Sequence, residues 1–243
     1  MKKGEFLLIN YVGRVAETGE IFDLTDEAVA RKEKVFVQDH RYAPAPVIIG
    51  AGMIIRGVEN RLERMHTGKE ERFTVPPEEA FGRRDPKMIR IISMAHFIRQ
   101  KITPTPGAYV TVDSLRARIQ SVSGGRVRID FNDPLAGKQL NYAVRIVKVI
   151  KDPGEKMRLL FQRYGIKADV SFNPQTREAE ARTETPLKDA VQKVLQGMVR
   201  KWIPEVKALA FTAGAAKQRE ETSKGHGDAE KPRDPPKTVS PSE

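Results

Sequence analysis

The sequence predicts an α+β fold in which short strands and short helices alternate along the chain. Val47–Gly82 carries the first signal, because an apolar strand is followed by a glycine-rich turn, a short helix with one apolar face, and a second strand. Residues 141–150 alternate with a period of two, which predicts another strand. Residues 187–202 place apolar side chains at helical spacing, which predicts a longer helix near the end of the chain.

Length and composition narrow the class of protein. A chain of 243 residues has room for more than one domain, since a domain takes roughly 100–200 residues. The 39% hydrophobic and 31% charged residues favour small cores with much charged surface. The sequence holds no apolar run near the ~20 residues of a membrane helix, no signal-peptide core and no cysteine. We therefore expect a cytoplasmic protein without disulfides or contact with a membrane.

The formal charge of +11 is concentrated in one internal segment. Residues 83–134 contain ten Lys and Arg against four Asp and Glu, whereas residues 217–243 contain six of each. A positive field of this kind attracts acidic polypeptides or RNA. A solvated surface with many basic residues explains the count equally well.

The first half of the chain reads as follows. We expect a central strand over residues 5–15, a turn at 17–20 and a second strand at 21–23. Residues 25–37 are polar and tolerate a helix. Residues 39–46 contain two prolines and predict a loop. The helix that follows the strand at 47–49 takes its apolar face from Val58, Leu62 and Met65 and should end at the turn 66–69, where Gly68 supplies the left-handed stop.

Four short motifs follow one another in this half of the chain, and their order is more informative than any one of them. They are Ile48-Ile49-Gly50, Ile54-Ile55-Arg56-Gly57, Met65-His66-Thr67-Gly68-Lys69 and Pro77-Glu78-Glu79-Ala80-Phe81-Gly82. The series resembles FKBP-type peptidyl-prolyl cis-trans isomerases, and Tyr11, Gly13, Phe22 and Asp23 match the start of the family pattern. The resemblance implies a twisted antiparallel sheet wrapping a short helix, formed by residues 1–82 and 135–151.

The segment 83–134 is an insertion relative to a minimal member of that family. Its pattern predicts a small sheet with a helical turn capped by Ser93. Two strands alternate apolar residues with arginine, which puts Arg116, Arg118, Arg126 and Arg128 on one solvated face. The segment resembles the insert-in-flap domain of SlyD-like bacterial and long archaeal FKBPs, and residues 132–140 match the run by which those proteins return to the main sheet. The resemblance implies a chaperone domain that binds unfolded chains.

We expect a separate C-terminal α+β domain at residues 152–213. Asp152-Pro153-Gly154 predicts a break, and the elements that follow are a helix at 157–164, strands at 168–172 and 178–182, a helix at 186–202 that Thr185 caps and Pro186 starts, and a strand at 206–211. Resemblance to long archaeal FKBPs suggests that this domain forms a homodimer. Residues 214–243 have a composition typical of disorder.

The resemblance also implies a pocket for the proline ring. Asp23 would direct its carboxylate at the reacting carbonyl, Tyr11 would fix Asp23, and the backbone N–H of Ile55 would hold the substrate chain. Further substrate-binding residues would be Phe22, Val47, Ile54, Val58, Phe81 and Tyr142. Without the resemblance, Phe22, Ile54 and Tyr142 fit a plain core and Asp23 fits a turn. Val58 and Phe81 depart from the Trp and Tyr of many FKBPs, which puts macrolide binding in doubt.

Two functions compete. The first is a peptidyl-prolyl isomerase that acts on X–Pro bonds in unfolded or nascent polypeptides and has chaperone activity in its insert. The second is a non-catalytic holdase or ribosome-associated binding module. Specific RNA binding is weaker, since the basic face lacks interleaved aromatic residues. We expect no cofactor and no metal. His40 has no second ligand at useful spacing, and His226 alone does not make the His-rich metal-binding tail that the resemblance to some SlyD-like proteins would imply.

Overall fold

The computed structural model of this chain describes residues 1–214. The segment predicted to be disordered, residues 214–243, lies outside the described residues except for its first position, and so does His226. Within residues 1–214 the strands are β1 Phe6–Val15, β2 Ile21–Leu24, β3 Ala45–Ile48, β4 Glu70–Val75, β5 Ile89–Ser93, β6 Tyr109–Val112, β7 Leu115–Ser123, β8 Arg126–Asp130, β9 Leu140–Ile150, β10 Ala168–Asn173, β11 Glu178–Thr183 and β12 Ala208–Ala213. The α-helices are α1 Glu27–Lys32, α2 Arg56–Leu62, α3 Met94–Arg99, α4 Pro153–Arg163 and α5 Asp189–Trp202.

The first sheet is antiparallel and has five strands. Its order is β2-β1-β9-β4, and β3 pairs with the first half of β1. Val58 and Leu62 of α2 are fully buried in one core with Leu7, Ile9 and other inward residues of β1 and β9. The sheet therefore wraps the short helix, and the expected α+β fold is confirmed.

Helix α2 is shorter than the sequence predicted. It ends at Leu62, because the amides of Arg64 and Met65 bond to the carbonyls of Arg61 and Leu62, three residues earlier, and close the helix as turns. Met65 is nevertheless 2% exposed and belongs to the core. The helical period identified the buried residues correctly but overran the helix.

The inserted segment forms a second sheet with the order β5-β8-β7-β6. Phe97 of α3 fills its core together with Val112, Ile119, Val127 and Ile129. The hydroxyl oxygen of Ser93 accepts from the backbone N–H of Ala95, so the predicted cap of α3 is confirmed. The opposite face of this sheet is exposed and carries Arg116, Arg118, Arg126 and Arg128, as predicted.

The C-terminal elements form a third sheet, β10-β11-β12, in which β11 and β12 run parallel and α5 connects them. Two boundaries differ from the expectation. Asp152-Pro153-Gly154 begins α4 instead of breaking the chain, because the Asp152 side chain accepts from the N–H of Glu155 at 2.7 Å and proline suits the first helical position. Helix α5 starts three residues after Pro186, since the Thr183 hydroxyl donates to the Thr185 carbonyl and the chain stays extended through Lys188.

One hydrophobic cluster joins the C-terminal elements to the first sheet. Phe6 of β1 and Ile150 of β9 are each 2% exposed and belong to the same core as Phe161 and Met157 of α4, which are fully buried. Helix α4 thus packs directly against the sheet that carries the candidate site. None of the helices in the described part of the chain is long and apolar enough to cross a membrane.

Candidate active site

Tyr11 and Asp23 are brought together by the pairing of β1 with β2. Gly13 lies opposite Asp23 in this register, two residues along β1 from Tyr11. The Tyr11 phenol donates a hydrogen bond of 2.6 Å to Oδ2 of Asp23. A bond of this length to a carboxylate is a strong, charge-assisted one, so Tyr11 sets the direction of the Asp23 side chain.

Gly13 is required by the approach of Phe22. A Cβ at position 13 would lie 2.5 Å from the tip of the Phe22 ring, closer than real contacts allow. The absence of a side chain lets this ring lie against β1 beside Tyr142 of β9, which pairs with Gly13 on the other side. The rings of Phe22 and Tyr142 meet edge to face, with centroids 5.8 Å apart.

The aromatic wall continues across the site. Phe22 and Phe81 also meet edge to face, at 6.4 Å and 89°. Tyr11 and Tyr142 lie 6.1 Å apart in a tilted arrangement. Aromatic pairs in these geometries add about 0.5–1.5 kcal/mol beyond their buried area, so the contacts among these rings stabilise the wall.

The opposite wall is the turn that leads into α2. Oε1 of Glu59 accepts from the backbone N–H groups of Gly50 (2.8 Å) and Gly52 (3.3 Å), which ties the turn to the helix. Ile55 is the N-cap residue of α2, and its carbonyl accepts from the N–H of Glu59 at 3.1 Å. No acceptor within residues 1–214 bonds to the N–H of Ile55. That amide is therefore a free donor at the mouth of the site.

These walls enclose a cavity of about 570 Å³, a size that suits a small apolar group with a few polar contacts. Its lining residues are Tyr11, Phe22, Asp23, Gly52, Met53, Ile54, Ile55, Phe81 and Tyr142. All three candidate catalytic residues and four of the six candidate substrate-binding residues converge here.

Val47 and Val58 do not line the cavity. They are 3% and 0% exposed and lie in the core between the sheet and α2. The expectation that they contact substrate is corrected, because both side chains are buried in the core and do not reach the cavity. Gly52 and Met53 were not among the expected site residues; the signal for Met53 was its place in an apolar triplet with Ile54 and Ile55.

Comparisons with known proteins agree with this geometry. The family model described as FKBP-type peptidyl-prolyl cis-trans isomerase matches residues 1–98, and the model described as the FKBP26 IF domain matches residues 90–135. A short-type peptidyl-prolyl cis-trans isomerase of Methanocaldococcus jannaschii is 32% identical over 60% of this chain and 92% of its own. The chain belongs to the FKBP-type peptidyl-prolyl cis-trans isomerases.

Two further FKBP-type relatives extend the comparison. A probable FKBP-type 16 kDa isomerase of Pseudomonas fluorescens is 32% identical over 44% of this chain and 73% of its own. The FKBP-type isomerase SlyD of Treponema pallidum is 28% identical over 60% of this chain and 77% of its own. The resemblance to the SlyD-like members is thereby confirmed. The isomerase assignment rests on this family membership and not on the cavity alone.

The two phenols of this FKBP-type site are held in their neutral form. Burial raises the pKa of Tyr11 far above its usual value, and the hydrogen bond and negative charge of Asp23 raise it further. Burial, followed by the charge of Asp23, raises the pKa of Tyr142 in the same direction. Both hydroxyls therefore remain donors at any physiological pH.

The described residues contain no group of three or more His, Asp or Glu that could hold a metal ion. His40 lies against Tyr42, with ring centroids 4.6 Å apart. The site consists of apolar walls, one carboxylate and a small number of fixed donors, which is what an amide rotation without covalent chemistry can use.

Proposed function

We propose that this FKBP-type isomerase accelerates X–Pro isomerisation in unfolded or nascent polypeptides, and that its inserted sheet holds those clients as a chaperone surface. The supporting observation is the convergence of Asp23, its hydrogen-bond donor Tyr11 and the free amide of Ile55 on one apolar cavity. In this proposal residues 1–82 with 135–151 form the isomerase domain, 83–134 the client-binding insert and 152–213 the C-terminal domain.

The proposed reaction is a rotation about a single peptide bond, which is slow without a catalyst. The peptide C–N bond is partly double, so its rotation faces a barrier of about 18–20 kcal/mol. The cis and trans forms of X–Pro differ by only about 0.5–1 kcal/mol, and the uncatalysed exchange takes tens to hundreds of seconds. A catalyst needs only to bind the twisted amide better than either planar form.

The apolar walls favour the twisted amide through the loss of resonance. The planar amide places negative charge on oxygen and positive charge on nitrogen, and twisting removes much of that separation. A cavity walled by Phe22, Ile54, Phe81 and Tyr142 withholds the water that would stabilise the planar form. The barrier to rotation is lowered because the ground state loses more solvation than the transition state does.

The polar groups would hold and orient the substrate. The N–H of Ile55 would donate a hydrogen bond to a substrate carbonyl, since this donor has no acceptor in the described chain. The carboxylate of Asp23, held by the Tyr11 phenol at 2.6 Å, would face the carbonyl carbon of the rotating amide, which gains positive character as resonance is lost. Tyr11 would act as a positioning residue and Asp23 as the catalytic one.

The exposed face of the insert supports client binding. Arg116, Arg118, Arg126 and Arg128 form no ion pair with another described residue. Ile91, which pairs with Arg128 in the register, is 67% exposed on the same face. Unfolded chains offer both apolar and acidic side chains, and a face that mixes arginine with exposed apolar residues suits them.

The partners of the C-terminal domain are inferred from its surface. Val191 and Val194 of α5 are 37% and 55% exposed, and they would supply the apolar contact of a homodimer through residues 152–213. The basic insert would favour proximity to the ribosome, where nascent chains and RNA phosphates carry negative charge. Such a protein would work in the cytoplasm.

A proline-limited refolding assay tests the proposal against a non-catalytic holdase. Asp23→Ala should slow refolding catalysis while retaining suppression of aggregation. A variant in which the four insert arginines are replaced by serine should lose most of the refolding acceleration and keep its turnover of a short X–Pro peptide. If neither change alters the refolding rate while aggregation is still suppressed, the chain is a holdase and the catalytic proposal fails.

A further inference from the structure

A second cavity of about 640 Å³ lies between the first sheet and the insert. It shares Phe22 and Phe81 with the active-site cavity. Its far wall includes Tyr109 of β6 and Arg118 of β7, which also belong to the exposed face of the insert. We call this second cavity the cleft. It therefore connects the active site to the face proposed to hold clients.

Phe22 and Phe81, which line both cavities, form the boundary between them. Phe81 is 37% exposed, so one face of its ring remains open while its edge contacts Phe22. A polypeptide whose proline occupies the active-site cavity must carry its flanking residues out over an open rim. On this side the rim is Phe81, and the cleft lies directly beyond it.

The lining of the cleft favours apolar side chains of a bound polypeptide over charged ones. Its lining contains three cations and three anions, namely Arg84, Arg118, Lys138, Glu20, Asp130 and Asp133. Because these charges balance, no net field favours an acidic or a basic segment. Tyr109 is 44% exposed, with the Arg116 guanidinium 4.4 Å from its ring centroid, and Leu135 is half-buried. These two side chains offer an apolar surface to a passing chain.

A cluster of hydrogen bonds and one ion pair fixes the shape of the cleft at the two points where the chain enters and leaves the insert. Asp130 is 3% exposed and accepts from the backbone N–H of Asn132 (2.9 Å), the Asn132 amide (2.7 Å) and the Gln120 amide (3.1 Å), and it pairs with Arg84. Asn132 in turn bonds to the backbone N–H and carbonyl of Asp85. The outgoing and returning segments are thereby tied together, and a preformed site costs less ordering when a chain binds.

We propose that the cleft is an extended subsite for the polypeptide that flanks the X–Pro bond, in which Tyr109 and Leu135 contact an apolar or aromatic side chain of the client. The inference rests on the proposed isomerase function and deepens it. It makes the active-site cavity, the cleft and the insert face one continuous track, on which sequence near the proline sets the specificity.

Peptides of matched length test the proposal with the full chain. The substrates are a short X–Pro peptide of about four residues and longer peptides extended on either side of the proline with leucine and phenylalanine, or with serine alone. We expect one apolar extension to raise kcat/KM by about tenfold, the gain from burying one apolar side chain. The serine extensions should give no gain, and raising the salt from about 0.1 to 0.5 M should leave the gain in place.

Three variants locate the effect. Tyr109→Ser and Leu135→Ser should each remove most of the gain and leave turnover of the short peptide unchanged, which also shows that the active site is folded. Ile98→Ser is the control, because Ile98 is 66% exposed on α3 of the same insert and does not line the cleft. A gain that is absent in the parent chain, kept by both cleft variants or lost in the control would overturn the subsite. Absence of any turnover of the short peptide would instead overturn the proposed function.

Discussion

The hydrogen bond between Tyr11 and Asp23 is the contact whose removal is most informative. Tyr11→Phe deletes the phenol that donates to Oδ2 of Asp23 at 2.6 Å and keeps the ring that packs 6.1 Å from Tyr142. The cavity should retain its shape and apolar walls. Only the direction and charge environment of the carboxylate change.

The magnitude follows from the geometry. A hydrogen bond to a charged group contributes about 1.5–3 kcal/mol. Asp23 is exposed, so water replaces part of the lost bond. We therefore expect kcat/KM for a short X–Pro peptide to fall by about 5- to 30-fold, which corresponds to about 1–2 kcal/mol. The stability of the chain should change by less than about 1 kcal/mol, since the buried ring stays in place.

Tyr142→Phe is the matched control. The Tyr142 hydroxyl lies in the same cavity and has no hydrogen-bond partner among the described residues. Its removal should change kcat/KM by less than about twofold, because no protein contact is lost. Full activity in Tyr11→Phe, or an equal loss in both variants, would refute the view that Tyr11 orients Asp23.

Three further outcomes are expected. Asp130→Ala should speed amide hydrogen exchange in β5 and β8 by an amount equivalent to about 1–3 kcal/mol while β1 and β9 stay protected, because the half-buried Gln120 and Asn132 lose their acceptor. The exposed Asp133→Ala is its control. Phe161→Ala should cost about 3–5 kcal/mol in denaturant unfolding, and isomerase activity should be lost in the same transition, since this fully buried ring belongs to the core shared with the first sheet. Burial works to raise the pKa of Glu205, but the hydrogen bond and charge of Lys156 outweigh it and lower that pKa. The Glu205 side chain is 41% exposed, so water screens the pair and its contribution to stability should be below about 1 kcal/mol. That contribution is present above the unfolded pKa near 4.3 and is lost as the pH falls through the folded value. Glu205→Gln should therefore be less stable than the parent chain at pH 7 and equally stable at about pH 3.

Local sequence carried enough information for most of the candidate site. Tyr11 and Asp23, and Ile54 and Ile55 before α2, belong to short motifs that the family resemblance singled out, and the structure brings all four to one cavity. Val47 and Val58 were misplaced because a pattern of apolar residues does not separate a side chain that lines a cavity from one that fills the core beneath it. That distinction depends on the third dimension, on how β3 and α2 share a core.

Other features were invisible for a different reason. Asp130 is the last residue of the alternating strand β8, where the pattern predicts a surface position, yet it is 3% exposed because Arg84, far away in sequence, packs beside it. Asp152-Pro153-Gly154 fits a chain break and a helix start equally well. The helix start is favoured because it lets α4 bury Phe161 and Met157 against Phe6. Long-range packing decides such cases.

The central claim is that the apolar cavity and Asp23 together favour the half-rotated amide. Its most direct test is exchange NMR on a short X–Pro peptide at equilibrium, with the full chain and with Asp23→Ala. The proposed mechanism predicts faster exchange in both directions at an unchanged cis-to-trans ratio, and a loss of about tenfold or more in the variant, equivalent to about 1.4 kcal/mol. No acceleration by the full chain, or equal acceleration by the variant, would contradict it.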